Sequence, residues 1–221
     1  MMPSAIIHRC VSKKVEEKIK RLKNEKDIYL YAVASVAPDS WRNTTMFKDS
    51  PLRKKDKRKY SHFSKDDSFI ENYMEFYNKY KSQINHPFIY GYLIHLMTDY
   101  FWRIEMYEKS NDIITNSEEK NPISKDVEIL TRDISKYYYI NKLKELSQEE
   151  IDALPIVDEL PYDGINTTIN FINHQLTNEI NDSIKKYNLD MIINGIETVS
   201  KLIIEEIDKL GIIWTKNNFY Y

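Results

Sequence analysis

The run Gly91-Tyr92-Leu93-Ile94-His95-Leu96-Met97-Thr98-Asp99-Tyr100-Phe101-Trp102 constrains the chain more than any other. Phe88, Tyr92, His95, Asp99, Trp102 and Met106 recur at the three-or-four spacing of one helix face. That period predicts a helix over about Pro87 to Lys109, laid against a core. His95 and Asp99 then stand one above the other in the middle of an apolar seam. A buried ionised carboxylate is costly unless a positive group answers it. No Lys or Arg lies on this stripe. A metal ion is the partner that best suits an imidazole and a carboxylate held together.

The rest of the chain is helical in pattern. Ser4 to Lys23 places His8, Val11, Val15, Ile19 and Leu22 on one face, so His8 points inward. Asp27 to Ala37 is a nearly continuous apolar run whose alanines suit a buried helix; Pro38 stops it and Asp39 follows at once. Ser40 to Tyr60 is expected to be a loop rich in Lys and Arg, including Arg42 and Arg58, leading into Ser61-His62-Phe63. Ser64 to Asp66 is expected to cap a helix over about Asp67 to Gln83, with Phe69, Tyr73, Phe76 and Tyr80 inward. His86 precedes a proline and is expected to be structural; Ser110 to Asn121 is polar and loop-like.

In the second half, Ile123 to Tyr139 predicts a helix with Val127, Leu130 and Ile134 inward. Ser147 and Glu150 form a capping-box signature. Leu154-Pro155 and Leu160 to Gly164 break the chain. Ile165, Ile169, Ile172, Leu176 and Ile180 share a helical face from which His174 is excluded, and a last helix runs from about Leu189 to Leu210. The expected architecture is all-α, a single multi-helix domain over residues 1–221, because no Gly/Ser/Pro-rich linker divides it.

Composition narrows the function. Four glycines leave no room for a Gly-rich phosphate loop, and one cysteine, Cys10, excludes a disulfide framework or a thiolate zinc site. The net charge of −2 gives no reason to expect an obligatory nucleic-acid partner. No stretch approaches the length of a membrane span, and the N-terminal apolar run is too short for a signal peptide, so a cytoplasmic protein is expected.

Five residues that can bind metal therefore fall at inward or rigid positions: His8, Asp39, His62, His95 and Asp99. Each has a bland alternative. His8 alone reads as a core histidine bonded to a carbonyl, Asp39 as a cap or turn residue, and the basic loop as a solvated segment. Together, three nitrogens and two carboxylates suit one or two zinc ions, or another divalent transition metal.

Met2-Pro3-Ser4 with His8, Ala37-Pro38-Asp39, Ser61-His62-Phe63, and Gly91-Tyr92 through His95 and Asp99 follow one another in a fixed order. In that order and approximate spacing the first half of the chain resembles the bacterial zinc-dependent phospholipase C family. The all-α fold of that family is shared more distantly with single-strand nucleases of the S1/P1 type. The resemblance implies that Asp39, His62, His95 and Asp99 bind one zinc, and that Asp99 bridges to a second ion held also by His8. Secreted members complete that second site with a processed amino terminus. They also bind a further zinc through a histidine six residues after the bridging aspartate and a later His-x-x-x-Glu or His-x-x-x-Asp pair. Here the first position is Glu105, and the only later histidine, His174, is followed four residues on by Asn178. That site is expected to be absent or altered.

The implied activity is hydrolysis of a small phosphorylated substrate, a phosphodiester or phosphomonoester, by a metal-bound hydroxide. Asp39 and Asp99 would be catalytic, with Arg42 and Arg58 near the substrate phosphate. The alternative is a metal-stabilised helical protein of the same fold without turnover. A phosphohydrolase of the His-Asp doublet type is disfavoured, since no adjacent His-Asp occurs.

Overall fold

The computed structural model describes residues 3–42, 44, 54–64, 72–108, 122–177, 180, 182–184 and 187–212, with side chains described at all of these except 54–57, 107–108 and 122–124. The α-helices are α1 (Ala5–Ile19), α2 (Glu25–Ala34), α3 (Lys54–His62), α4 (Tyr73–Tyr80), α5 (Pro87–Trp102), α6 (Pro122–Tyr137), α7 (Gln148–Asp152), α8 (Ile165–Gln175) and α9 (Leu189–Lys209). Short 3₁₀ turns occupy Ala37–Arg42, Lys81–Gln83 and Tyr162–Gly164. Among the described residues there is no strand, so the fold is all-α. No described helix is long and apolar enough to cross a membrane.

Helix α5 is the axis of the fold. It starts with Pro87 in its first turn, and His86 caps it by accepting the Phe88 amide at 3.2 Å. Every residue from Phe88 to Asp99 is buried. The expected stripe is therefore one face of a helix buried on all sides, as its nearly unbroken apolar sequence allows. Helices α1, α2, α4 and α9 pack around it. The approach of α2 depends on Gly91, where an added Cβ would lie 2.5 Å from the Tyr31 carbonyl oxygen and 2.8 Å from Ala34 Cβ. The apolar face of α9 (Ile192, Ile196, Val199, Ile203 and Ile207) closes the core from the other side. Beyond Trp102 the helix widens into a π-turn, Arg103–Glu108. Met106 there fits against Gly195 of α9.

Several boundaries differ from those the sequence predicts, each for a local reason. Helix α2 ends at Ala34, and Pro38 and Asp39 sit inside the 3₁₀ turn that follows. Part of the expected 40–60 loop is helix α3, built from Lys and Arg residues that are good helix formers but leave no apolar period to read. Helix α4 starts at Tyr73 with Asn72 as its cap, accepting the Glu75 amide at 3.1 Å. The expected cap at Ser64 to Asp66 lies largely outside the described residues, as do Phe69 and the 110–121 segment. Ile180 is exposed, since α8 stops at Gln175.

The second half of the chain is tied down by polar side chains. Asn166 and Asn173 stand two turns apart on α8, and each amide bonds both backbone groups of one leucine. Asn166 takes the Leu146 N–H at 2.9 Å and gives to its carbonyl at 2.8 Å; Asn173 does the same for Leu143 at 2.9 and 2.7 Å. The stretch before α7 thus satisfies its backbone without a partner strand. The expected capping box of Ser147 and Glu150 is present at α7. Gly164 lies against the 3₁₀ turn of residues 37–42 so closely that a Cβ there would collide with the Ser40 carbonyl.

Gly91→Ala should destabilise the chain by about 1–3 kcal/mol, because the methyl must push α2 off α5. Urea unfolding followed by circular dichroism measures this, and a midpoint equal to that of the parent chain would show that the α2–α5 spacing is not tight.

Candidate metal centre

Three segments converge on the C-terminal half of α5. His8 comes from the second turn of α1, Asp39 from the 3₁₀ turn after α2, and His62 from the last position of α3. His95 and Asp99 come from α5 itself. All five are buried; Asp39 is the most exposed, at 8%.

Asp99 is the hub. Its Oδ1 lies 3.3 Å from His8 Nε2, and its Oδ2 lies 3.4 Å from both His62 Nε2 and His95 Nε2. His62 Nε2 is 3.9 Å from Asp39 Oδ1. The His8 and His95 rings stack at 3.8 Å, tilted by only 8°. Donor atoms of His62, His95 and Asp99 all fall within 4.8 Å of one another, and so do those of His8, Asp39 and His95.

The hydrogen bonds around these rings hold them in place. His95 Nδ1 faces the Ser35 carbonyl at 2.9 Å, and His62 Nδ1 faces the Arg58 carbonyl at 3.1 Å, with Ser61 Oγ at 2.8 Å. A carbonyl can only accept, so His95 Nδ1 carries a proton toward Ser35; His62 Nδ1 also touches the Ser61 hydroxyl, which can donate as well as accept. The Nε2 atoms of His62 and His95 meet at 3.2 Å. Two such nitrogens at this distance must share a proton or a cation. Both histidines thus have the outer-shell arrangement of metal ligands, in which the far nitrogen faces a backbone carbonyl. The inner atoms lack conventional partners as well. Both His8 nitrogens, both Asp99 oxygens and Asp39 Oδ1 make no hydrogen bond. Buried polar atoms without partners call for an explanation, and a cation bound to three nitrogens and two carboxylates provides one.

Electrostatics favour neutral His8 and His62 and an ionised Asp99, while His95 shifts toward its charged form. Burial, then the neighbouring His95, pushes the His8 pKa down, and burial with the Arg58 charge pushes His62 well below the usual imidazole value. Burial lowers His95 too, but the Asp99 carboxylate 3.4 Å from its Nε2 outweighs it and holds His95 above its usual value. For Asp99, burial alone would raise the pKa; His8 and His95 reverse this and keep the carboxylate ionised. Two neutral imidazoles and an ionised carboxylate are the protonation states that ligation requires.

All five metal candidates of the sequence come together here. The two arginines do not behave alike. Arg42 is half exposed, its Nε 3.6 Å from Asp39 Oδ1 and its guanidinium 4.9 Å above the Trp41 ring. Arg58 is buried, with Nη2 3.9 Å from Asp99 Oδ2. The stripe of α5 carries no cation, yet α3 brings one. Its position four residues before His62 reveals this only once α3 is known to be a helix. Glu105 lies half-buried in the π-turn and His174 is exposed on α8. Neither belongs to either donor group.

The surroundings keep these side chains in place. Tyr92 Oη donates to the Ser61 carbonyl at 2.6 Å, locking the end of α3 to α5, and Phe76 stacks on the Tyr92 ring at 4.6 Å.

In the metal-free chain, acidification from pH 7.5 to 5.5 should lower stability. His8 and His62 bind protons less readily folded than unfolded, so their contribution is present above about pH 6.5 and lost below it. His95 shifts the opposite way and offsets one of them. The net loss should be about 1 kcal/mol, or about 2–4 °C in Tm at this size. Thermal melts in chelator at the two pH values test this; an equal or higher Tm at pH 5.5 would contradict the downward shifts of His8 and His62.

No protein-family model, curated protein or solved structure matches this chain.

Proposed function

We propose that the protein is a zinc-dependent hydrolase of phosphate esters, phosphodiester or phosphomonoester, with the phospholipase C / P1 nuclease type of all-α fold. The observation that carries this reading is the convergence of the His62 and His95 Nε2 atoms, 3.2 Å apart, on an Asp99 carboxylate whose oxygens make no hydrogen bond. The donor set fits zinc: imidazole nitrogens and carboxylate oxygens, with no thiolate among them. His62, His95, Asp99 and Asp39 would hold one ion, and Asp99 Oδ1 with His8 would face a second.

When bound, such an ion supplies Lewis acidity and an acidified water at neutral pH. The chain's own residues do the rest. Asp39 Oδ1, without a hydrogen bond and nearest to the surface, is placed to take a proton from the attacking water. The Nδ1 contacts of His62 and His95 hold their rings in one orientation through the reaction. Arg42, outside the buried cluster on the Asp39 side, is placed to meet an entering anion.

One observation favours a second reading, a metal-stabilised protein without turnover. His8, His62 and His95 are fully buried and Asp99 nearly so, which leaves Asp39 as the most accessible ligand. In that case metal removal unfolds the chain and no ester is cleaved.

Purified chain should contain zinc or another transition metal by plasma mass spectrometry and should hydrolyse p-nitrophenyl phosphate or bis(p-nitrophenyl) phosphate. Asp99→Asn should reduce metal content to about a tenth or less, since loss of even an outer-shell partner costs about 10–100-fold, and should abolish hydrolysis. His174→Ala should leave both unchanged. Full metal content and activity in Asp99→Asn would overturn the site.

A further inference from the structure

Helix α1 carries a second buried polar group that the metal centre does not use. Arg9 follows His8 by one residue, so its side chain leaves the helix about 100° further round. It reaches the stretch before α7, where its Nη2 donates to the Asn141 carbonyl at 3.4 Å. That bond is longer than the ordinary 2.7–3.2 Å or so of an N–H···O contact. A guanidinium has five N–H donors and a permanent charge. Among the described residues, the Asn141 carbonyl is the one acceptor Arg9 reaches, and Nη1 is buried without any hydrogen bond. The side chain is only 7% exposed.

No anion answers this charge among the described residues. The ionisable groups that act on Arg9 are the Cys10 thiol and the Tyr29 phenol, both ordinarily neutral at pH 7. The neighbouring donors are already spent on backbone. Lys13, one turn along α1, gives its ammonium to the Tyr138 and Tyr139 carbonyls at 2.8 and 3.2 Å, and Tyr29 Oη donates to the Lys144 carbonyl. A buried charge is costly unless it is paired. A long arginine stem can escape that cost by lifting its head into water. Water is close, since Asn141 is exposed, yet the guanidinium stays below the surface.

We propose that Arg9 is the floor of a small-oxyanion site between α1 and residues 138–144. Its ligand is a compact anion that offers two oxygens to the guanidinium fork, either a carboxylate or a tetrahedral oxyanion of the sulfate and phosphate kind. The exposed Asn141 edge is the way in, and Lys13 adds positive charge from the same face of α1. An occupant would tie a stretch of backbone held by side chains to the helix that carries His8. The site is separate from the metal centre and does not depend on it.

The test titrates sulfate, phosphate and acetate into the full purified chain by calorimetry, at ionic strength held constant with chloride. At least one of the three should bind the parent at millimolar concentration. Tighter binding of acetate would assign a carboxylate ligand; tighter sulfate or phosphate would assign a tetrahedral one. Arg9→Gln should weaken that binding at least about tenfold, and Arg9→Lys, which keeps the charge but loses the fork, should fall between. No binding of any of the three to the parent, or equal affinity in Arg9→Gln, would overturn the proposal; the latter would place the anion elsewhere, at the metal centre for example. If circular dichroism shows that neither variant folds, parent crystals soaked in selenate decide. An anomalous peak within hydrogen-bond reach of the Arg9 guanidinium supports the site, and its absence there overturns it.

Discussion

An ionised carboxylate buried at 1% exposure is the constraint around which the molecule is arranged. In a medium of low dielectric, Asp99 must be answered from every side or it will take up a proton. Three imidazoles and a guanidinium answer it, and each arrives on a different element or a different turn. None closes a conventional hydrogen bond to it. The cluster is therefore held together by what lies outside it: the Ser35 and Arg58 carbonyls, the Tyr92 hydroxyl and the packing of α2 on α5. Preorganisation of this kind costs stability in the empty protein and would return it on binding a cation.

The two halves of the chain divide the work. Residues up to Trp102 supply all five candidate ligands, and the later helices act as a buttress. Helix α9 packs on α1 and α5, and α8 with Gly164 presses on the 3₁₀ turn that presents Asp39. A change at Gly164 would thus reach the centre through backbone displacement, without touching a ligand.

Much of this is legible in the sequence, and what is not has physical causes. The inward faces of α1, α5, α6 and α9 follow from apolar period alone, and His8, His95 and Asp99 stand out because they interrupt such faces. Asp39 is marked by Pro38, although the proline sits within a 3₁₀ turn instead of ending a helix. Helix α3 is hidden because a segment in which five of nine residues are Lys or Arg has no apolar face to detect, and Arg58 is hidden with it as a partner of Asp99. Contacts across distant elements, such as the Ser35 carbonyl on His95, have no periodic signature at all.

The paired asparagines of α8 have a consequence of their own. Each reads an N–H and a C=O of the same leucine, so it must accept with one atom and donate with the other. An aspartate has the same shape but no donor, and would turn a bond to a carbonyl into a repulsion between two oxygens. Spontaneous deamidation at either position would therefore break a contact to the backbone. Conversion of a single amide at Asn166 or Asn173 would release a stretch of backbone that no strand or helix is there to recapture.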